Sequence, residues 1–264
     1  MDKQNDRPET DVRRCAFFFD VDGTLAHIQP RPELVFIPPR ARAALEQLHV
    51  GGIPVAVISG RPLSQLDALF APLRLPAAGI HGAERRTADG QLRGMALDTA
   101  LFHGIEEALV RTCAGYPGLR LENKGVAFAL HFRQAPELEE TARALAEDFA
   151  KRYADVLALQ PGKCVFELKP RGASKGEVIR AFMQETPFIG RMPVFIGDDR
   201  TDEAGFEAVN QLGGLSIKVG GGETLATQRL DSVDAVGAWL GTLLDGLDVL
   251  PEHNNKTDRS ESAP

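Results

Sequence analysis

Asp20 and Asp22 stand two residues apart, directly behind the apolar run Cys15-Ala16-Phe17-Phe18-Phe19 and ahead of Gly23-Thr24-Leu25. A run of that kind forms a buried parallel strand, and open α/β sheets place their sites at the carboxyl ends of such strands. Two carboxylates there, with glycine allowing a tight turn, suit phosphoryl transfer. One Asp attacks phosphorus, a hard cation neutralises the oxygens, and the other Asp moves the proton. The plainer alternative makes both of them ordinary turn residues. Three later segments weigh against it. Ser59-Gly60-Arg61 follows the apolar stretch Ile53–Ile58, Lys175 opens a helix between Gly172 and Gly176, and Asp198-Asp199-Arg200-Thr201-Asp202-Glu203 follows Met192–Gly197. Together they supply a nucleophile, hydroxyl and cationic groups for phosphoryl oxygens, and carboxylates for a cation. Asp198 is the best metal ligand of the last group because it directly follows the strand and its glycine.

The elements that must carry these residues alternate as strands and helices in two stretches. The first holds strands at 15–19, 53–58 and 76–80, with helices over 40–49 and from Pro62 to about Phe70. The second holds helices over 174–184, 201–212 and 231–243, with strands at 192–196 and 215–219. Thr201 is a candidate helix cap, and Trp239 is expected to pack on the last helix. Between the stretches the texture changes. A hairpin is expected over 86–97 around Asp89-Gly90, followed by a helix over 97–115. Strands at 119–122 and 126–132 come next, then a long amphipathic helix over 136–153 and strands at 156–160 and 164–168. The fold class is therefore α/β: a Rossmann-like core with a parallel sheet flanked by helices. Into it is inserted an α+β unit with an open, mainly antiparallel sheet. The boundaries read as a disordered leader at 1–13, a discontinuous core at 14–85 and 170–250, an inserted unit at 86–169 and a disordered tail at 251–264.

With 43% hydrophobic and 25% charged residues, the chain can bury a core and is not of the disordered class. The formal net charge of -7 argues against nucleic acid as a partner. No apolar run reaches membrane-spanning length, and Met1–Arg14 has no signal-peptide core. Cys15, Cys113 and Cys164 are odd in number and scattered, so they make neither a disulfide framework nor a metal site. The expectation is a cytoplasmic protein with a small-molecule substrate and no nucleic-acid or membrane partner, monomeric by default.

The motif set resembles the haloacid dehalogenase-like hydrolases. Within them it is similar to the trehalose-6-phosphate phosphatase family, through Phe19–Ala26, Ser59-Gly60-Arg61, Gly79-Ile80-His81-Gly82-Ala83-Glu84, Glu122-Asn123-Lys124-Gly125, Leu130–Arg133, Phe166–Pro170 and Gly197–Glu203. The resemblance implies Asp20 as nucleophile forming an aspartyl-phosphate, and Asp22 as the acid and then base. Ser59, Gly60, Arg61 and Lys175 would hold the phosphoryl group. Mg²⁺ would be held by Asp20, by Asp22 through its backbone carbonyl and by Asp198, with Asp199 and Asp202 supporting. The insertion corresponds to a type-2 cap whose Glu122, Lys124 and Glu167 would hydrogen-bond the distal glucose of trehalose 6-phosphate. His131 is a further cap candidate, between a structural and a substrate-contacting role. Association with a trehalose-6-phosphate synthase stays open. Competing readings are a related phosphatase for sucrose 6-phosphate, mannosyl-3-phosphoglycerate or a hexose phosphate, and a non-catalytic sugar-phosphate sensor. Intact Asp20 and Asp22 speak against the sensor, because binding alone needs no nucleophile beside an acid.

Overall fold

Strand β1 (Cys15–Phe19) is buried at every position, and its period-2 alternation sorts its side chains onto two faces. Cys15, Phe17 and Phe19 enter one hydrophobic layer, Ala16 and Phe18 the other. The structure, a computed structural model, describes residues 11–95 and 98–245. Helix α1 (Pro39–Val50), strand β2 (Val55–Ile58) and helix α2 (Leu63–Phe70) follow, then strands β3 (Ala77–Gly79), β4 (Glu84–Arg86) and β5 (Leu92–Gly94). Next come helix α3 (Thr99–Cys113), strands β6 (Arg120–Asn123) and β7 (Phe128–His131), helix α4 (Glu139–Arg152), and strands β8 (Leu157–Gly162) and β9 (Val165–Pro170). Helix α5 (Lys175–Phe182), strand β10 (Met192–Gly197), helix α6 (Glu203–Gln211), strands β11 (Leu215–Val219) and β12 (Gln228–Leu230) and helix α7 (Val233–Leu244) complete the described chain.

The larger sheet has the order β12-β11-β10-β1-β2-β3-β4-β5 and is parallel from β12 to β3. Side chains of α1, α2 and α7 close one face with Phe17, Phe19, Val55, Val57, Val194 and Ile196. Trp239 packs edge-on against Phe17, ring centroids 6.4 Å apart. Side chains of α5 and α6 close the other face over Phe18, Ala56, Ile58 and Phe195. Because β1 lies between β2 and β10, the strand order reverses there, and the crevice outside the carboxyl ends of β1 and β10 is the site such a topology offers.

The smaller sheet, β6-β7-β9-β8, is antiparallel throughout. Helices α3 and α4 cover one of its faces, packing Phe102, Ile105, Leu109 and Phe149 against Phe128, Leu130 and Leu168. Asp98 caps α3 by accepting from Leu101 N at 3.0 Å.

The described residues depart from the sequence expectation in several places. The hairpin expected inside the insertion lies instead on the edge of the core sheet, where β4 pairs antiparallel with β3 and β5 with β4. The boundary placed between residues 85 and 86 therefore falls within a strand. Two core-facing arginines fix it there. Arg86 donates to Asp67 and to the Leu75 carbonyl, both at 2.8 Å, and Arg85 forms a bidentate pair with Glu185. Of the expected leader, residues 1–10 lie outside the described residues, whereas Val12–Arg14 form a 3₁₀ turn capped by Asp11, with Val12 buried. The tail at 251–264, the core end at 246–250 and Leu97 also lie outside the described residues. The cap expected at Thr201 is Asp199, which forms a reciprocal capping box with Asp202 around the 3₁₀ turn Arg200–Asp202. Strand β12, too short and polar to show periodicity, was not foreseen.

Candidate active site

The strand ladder carries Asp20 beyond the end of β1, where its backbone N–H donates to the Ile196 carbonyl at 2.9 Å. The turn that follows needs glycine for two reasons. Gly23 has φ +92°, and a Cβ at that position would lie 2.1 Å from Asp198 Oδ2. The acidic loop after β1 thus packs directly on the acidic loop after β10.

Lys175, 2% exposed, donates to Asp20 Oδ1 at 2.7 Å and to Asp202 Oδ1 at 2.5 Å. Ser174 caps the helix that carries it, accepting from Gly176 N. Asp202 is fully buried, and its Oδ2 accepts from the backbone N–H groups of Asp198 and Asp199, both at 2.9 Å. One carboxylate therefore fixes both the lysine and the loop presenting Asp198. Lys218 on β11 donates to the Asp198 carbonyl and holds the same loop from behind. Burial, reinforced by Asp202 and Asp198, raises the Asp20 carboxyl well above its ordinary range, with Lys175 opposing. Asp198 rises to about 6, first from burial and then from Asp202. Burial would lower Lys175, but Asp20 and Asp202 more than offset it and hold it protonated.

Asp20, Asp198 and Asp202 each bring a carboxylate oxygen within 4.8 Å of the others. Three acids, two of them paired with an ammonium, offering oxygen donors only, fit a divalent cation. The Asp22 carboxylate is not in this cluster. Arg61 takes it in a bidentate grip, Nε to Oδ2 at 2.6 Å and Nη2 to Oδ1 at 2.7 Å. Ser59 is 2% exposed and accepts from Arg61 N at 3.2 Å, and it caps no helix, since α2 starts behind Pro62.

The inserted sheet supplies the opposite wall. Register pairs Glu122 with Ala129, Ala129 with Glu167, and Glu167 with Gln160. Directly paired residues share a face, so these four form one row on the face opposite Phe128, Leu130, Phe166 and Leu168. Lys124 donates to Glu167 Oε1 and, at 3.1 Å, to the Gly60 carbonyl. Insertion and core thus meet beside Ser59–Arg61. Glu167 Oε2 lies 2.6 Å from His81 Nε2, and Glu122 Oε2 lies 2.8 Å from His131 Nε2. Burial would raise Glu167, yet the His81 hydrogen bond and the Lys124 charge hold it well below the usual carboxylate range. Glu122 is held low chiefly by its bond to His131.

The structure brings Asp20, Asp22, Ser59, Gly60, Arg61, Lys175, Asp198, Asp199 and Asp202 around the strand ends, with Lys124 reaching the Gly60 carbonyl from the insertion and Glu167 reaching Lys124 and His81. Glu122 and His131 pair with each other farther out on β6 and β7. Gln160 and Lys218 did not stand out in the sequence. Gln160 carries no charge and enters the row only through register, and Lys218 reads as an ordinary polar position in a half-buried strand.

A family model described as trehalose-phosphatase matches residues 18–234. Over 250 residues, spanning 94% of this chain and 93% of the relative, the chain is 50% identical to trehalose-6-phosphate phosphatase of Escherichia coli (strain K12). It is 41% identical over 236 residues to a probable trehalose-phosphate phosphatase of Sinorhizobium fredii, covering 89% of this chain and 88% of that one. Among solved structures, a trehalose-6-phosphate phosphatase related protein superposes with a TM-score of 0.72 at 27% identity, covering 88% of this chain and 99% of that chain. The C-terminal domain of the C. albicans trehalose-6-phosphate phosphatase shares the fold, with a TM-score of 0.80 at 21% identity over 90% of this chain and 94% of that one.

Proposed function

The chain belongs to the trehalose-phosphatase family, of haloacid dehalogenase-like fold with an inserted cap, and we propose from that premise how its own residues perform the reaction. It is a phosphomonoester hydrolase that converts trehalose 6-phosphate and water to trehalose and phosphate through an aspartyl-phosphate. The observation that carries the assignment of roles is Asp20, held at the end of β1 by Lys175, with the cap reaching the neighbouring Ser59–Arg61 loop through Lys124.

In the first step an Asp20 oxygen attacks phosphorus in line, the bond from phosphorus to the sugar's C6 oxygen breaks, and Asp22 gives that oxygen a proton. In the second, water attacks the same phosphorus as Asp22 takes its proton, and inorganic phosphate leaves Asp20. Lys175 orients the nucleophile and, with Ser59, the Gly60 backbone and Arg61, holds the phosphoryl oxygens. Arg61 grips both Asp22 oxygens in the free protein, so an arriving phosphate competes with Asp22 for the guanidinium and frees the acid to turn to the leaving group. Asp20 and Asp198, with the Asp22 backbone carbonyl, would hold Mg²⁺, and Asp202 anchors the set. A bound Mg²⁺ supplies charge neutralisation at the phosphoryl oxygens. In the cap, which we place between β5 and the end of β9, Glu122, Lys124 and Glu167 meet the hydroxyls of the distal glucose, with His131 holding Glu122. Buried polar groups that a monosaccharide phosphate leaves unpaired give the preference for the disaccharide. Among the described residues no helix is long and apolar enough to cross a membrane.

Phosphate release tests this, with and without Mg²⁺, from trehalose 6-phosphate, sucrose 6-phosphate, glucose 6-phosphate and mannosyl-3-phosphoglycerate, with Asp20→Asn as control. Mg²⁺-dependent preference for trehalose 6-phosphate, lost in the variant, is expected. Preference for another member of the panel would sink the cap assignment and leave the core chemistry standing.

A further inference from the structure

Ile80 and His81 both have positive φ, 49° and 55°. The left-handed region is unfavourable for any residue with a Cβ and most of all for a β-branched one, and two such residues in succession persist only where their surroundings over-determine them. Here the backbone faces one way and the side chains the other. His81 N donates to the Ser59 carbonyl at 2.9 Å and Ile80 N to the Arg61 carbonyl at 3.1 Å. The carbonyl between them, Gly60, accepts from Lys124 of the cap. Three consecutive carbonyls of the phosphate-binding loop are thus taken, two by this turn and one by the cap. The side chains point at the cap. Ile80 packs in a small buried cluster with Ala127 and Val126, and His81 reaches Glu167. Gly60 leaves room for the ring, since a Cβ there would stand 2.8 Å from His81 Nε2.

His81 is 6% exposed, and its Nδ1 is buried without a hydrogen-bond partner. That orphan fixes the tautomer. A proton on Nδ1 would bury an unpaired donor and turn the Nε2 lone pair against a carboxylate, so the proton belongs on Nε2, donated to Glu167. Burial also lowers the His81 pKa, against the pull of Glu167, which disfavours the imidazolium. A neutral donor orients Glu167 without cancelling its charge, which Lys124 balances.

We propose that His81 is a positioning residue: it aims the Glu167 carboxylate through one Nε2–H bond, and the strained Ile80–His81 turn ties that aim to the Ser59–Arg61 loop. Phosphate site and sugar site are then held in one register although they lie on different sheets. The inference rests on the trehalose 6-phosphate reading and goes beyond it in giving the core a part in sugar recognition.

The test compares the Mg²⁺-loaded wild type with His81→Ala and His81→Gln on two substrates, trehalose 6-phosphate and p-nitrophenyl phosphate, which offers the cap no hydroxyls. In His81→Ala, kcat/KM for the disaccharide is expected to fall about 10- to 100-fold, mostly through KM, while p-nitrophenyl phosphate stays within roughly twofold. The Gln amide, a donor of similar reach, should restore part of the loss. A parallel fall on both substrates would mean a merely structural prop, and an unchanged disaccharide rate would remove the role altogether; either overturns the proposal. A wild type that turns over the aryl phosphate but not trehalose 6-phosphate would instead overturn the substrate reading. In that case imidazole ¹⁵N spectra of the free protein still decide the geometry. The resonance lost in the His81 variants must show an Nε2-protonated ring that shifts in Glu167→Gln. An Nδ1-protonated ring, or one indifferent to Glu167, refutes the bond on which the proposal stands.

Discussion

Lys175 bridges two buried carboxylates, Asp20 and Asp202. It is 2% exposed, between Asp202 at 0% and Asp20 at 7%, and removing one partner of such a group leaves charge buried without compensation, at a cost of about 3–5 kcal/mol. Lys175→Met should therefore abolish phosphate release and also lower Tm by roughly 10 °C. A variant that is inactive but fully stable would show that the lysine is not the counter-ion holding Asp20 and Asp202. Lys169, at the end of β9, gives the opposite sign. Burial lowers it from 10.5 to about 8, with Glu167 opposing, and its ammonium donates to the Ala173 carbonyl at 2.6 Å. Below pH 8 both folded and unfolded chains carry the proton and the folded state bears the full penalty. Above 10.5 neither carries it and the penalty is gone. Stability from this group therefore grows as pH rises from about 8 to 10.5 and is lost as pH falls back through 8. Relative to Lys169→Met, the wild type should gain Tm between pH 7.5 and 10. A constant difference across that range would refute the depressed lysine.

At the scale of elements, the site is set by how closely two helices cross. A Cβ on Gly176 would stand 2.4 Å from the backbone oxygen of Ala204 on α6, so α5 can carry Lys175 to Asp202 only because its second residue has no side chain. Gly176→Ala should push the helices apart at a cost of about 1–3 kcal/mol, seen as a Tm lower by roughly 3–10 °C, with activity falling more than stability because Lys175 moves with the helix. Retained activity at lowered Tm would place the strain elsewhere. Most elements could be read from the chain because local pattern and tertiary need agree. The all-apolar β1, the Pro62 start of α2 and the alternating Phe128–His131 are each what their positions demand. The hairpin β4–β5 is the instructive exception. Asp89-Gly90 announces a turn, but which sheet the hairpin joins depends on partners distant in sequence, Asp67 and Glu185, for the adjacent arginines. Pattern shows that a strand forms and is silent about its neighbour.

Across the whole molecule, the position of the acids Asp20, Asp22 and Asp198 was legible because they follow strand ends in a doubly wound sheet. Glu122 and Lys124 were singled out only through resemblance, since alone they look like an exposed loop pair. His81 belongs to neither kind. A quoted motif held it, but its role depends on a backbone conformation that residue type does not announce. The topology that unites core and cap also sets a schedule for making the protein. Cys15 to Phe19 pair with Met192 to Ile196, and the entire cap lies between these two strands in the chain. At about 5–20 residues per second, a ribosome needs roughly 10–35 s between the two. Throughout that interval the most apolar strand of the protein offers one bare edge, while the cap, whose sheet contacts are mostly near in sequence, can already close. The nascent chain therefore builds its lid before the box, and its first strand has to be shielded from other chains until its second neighbour emerges.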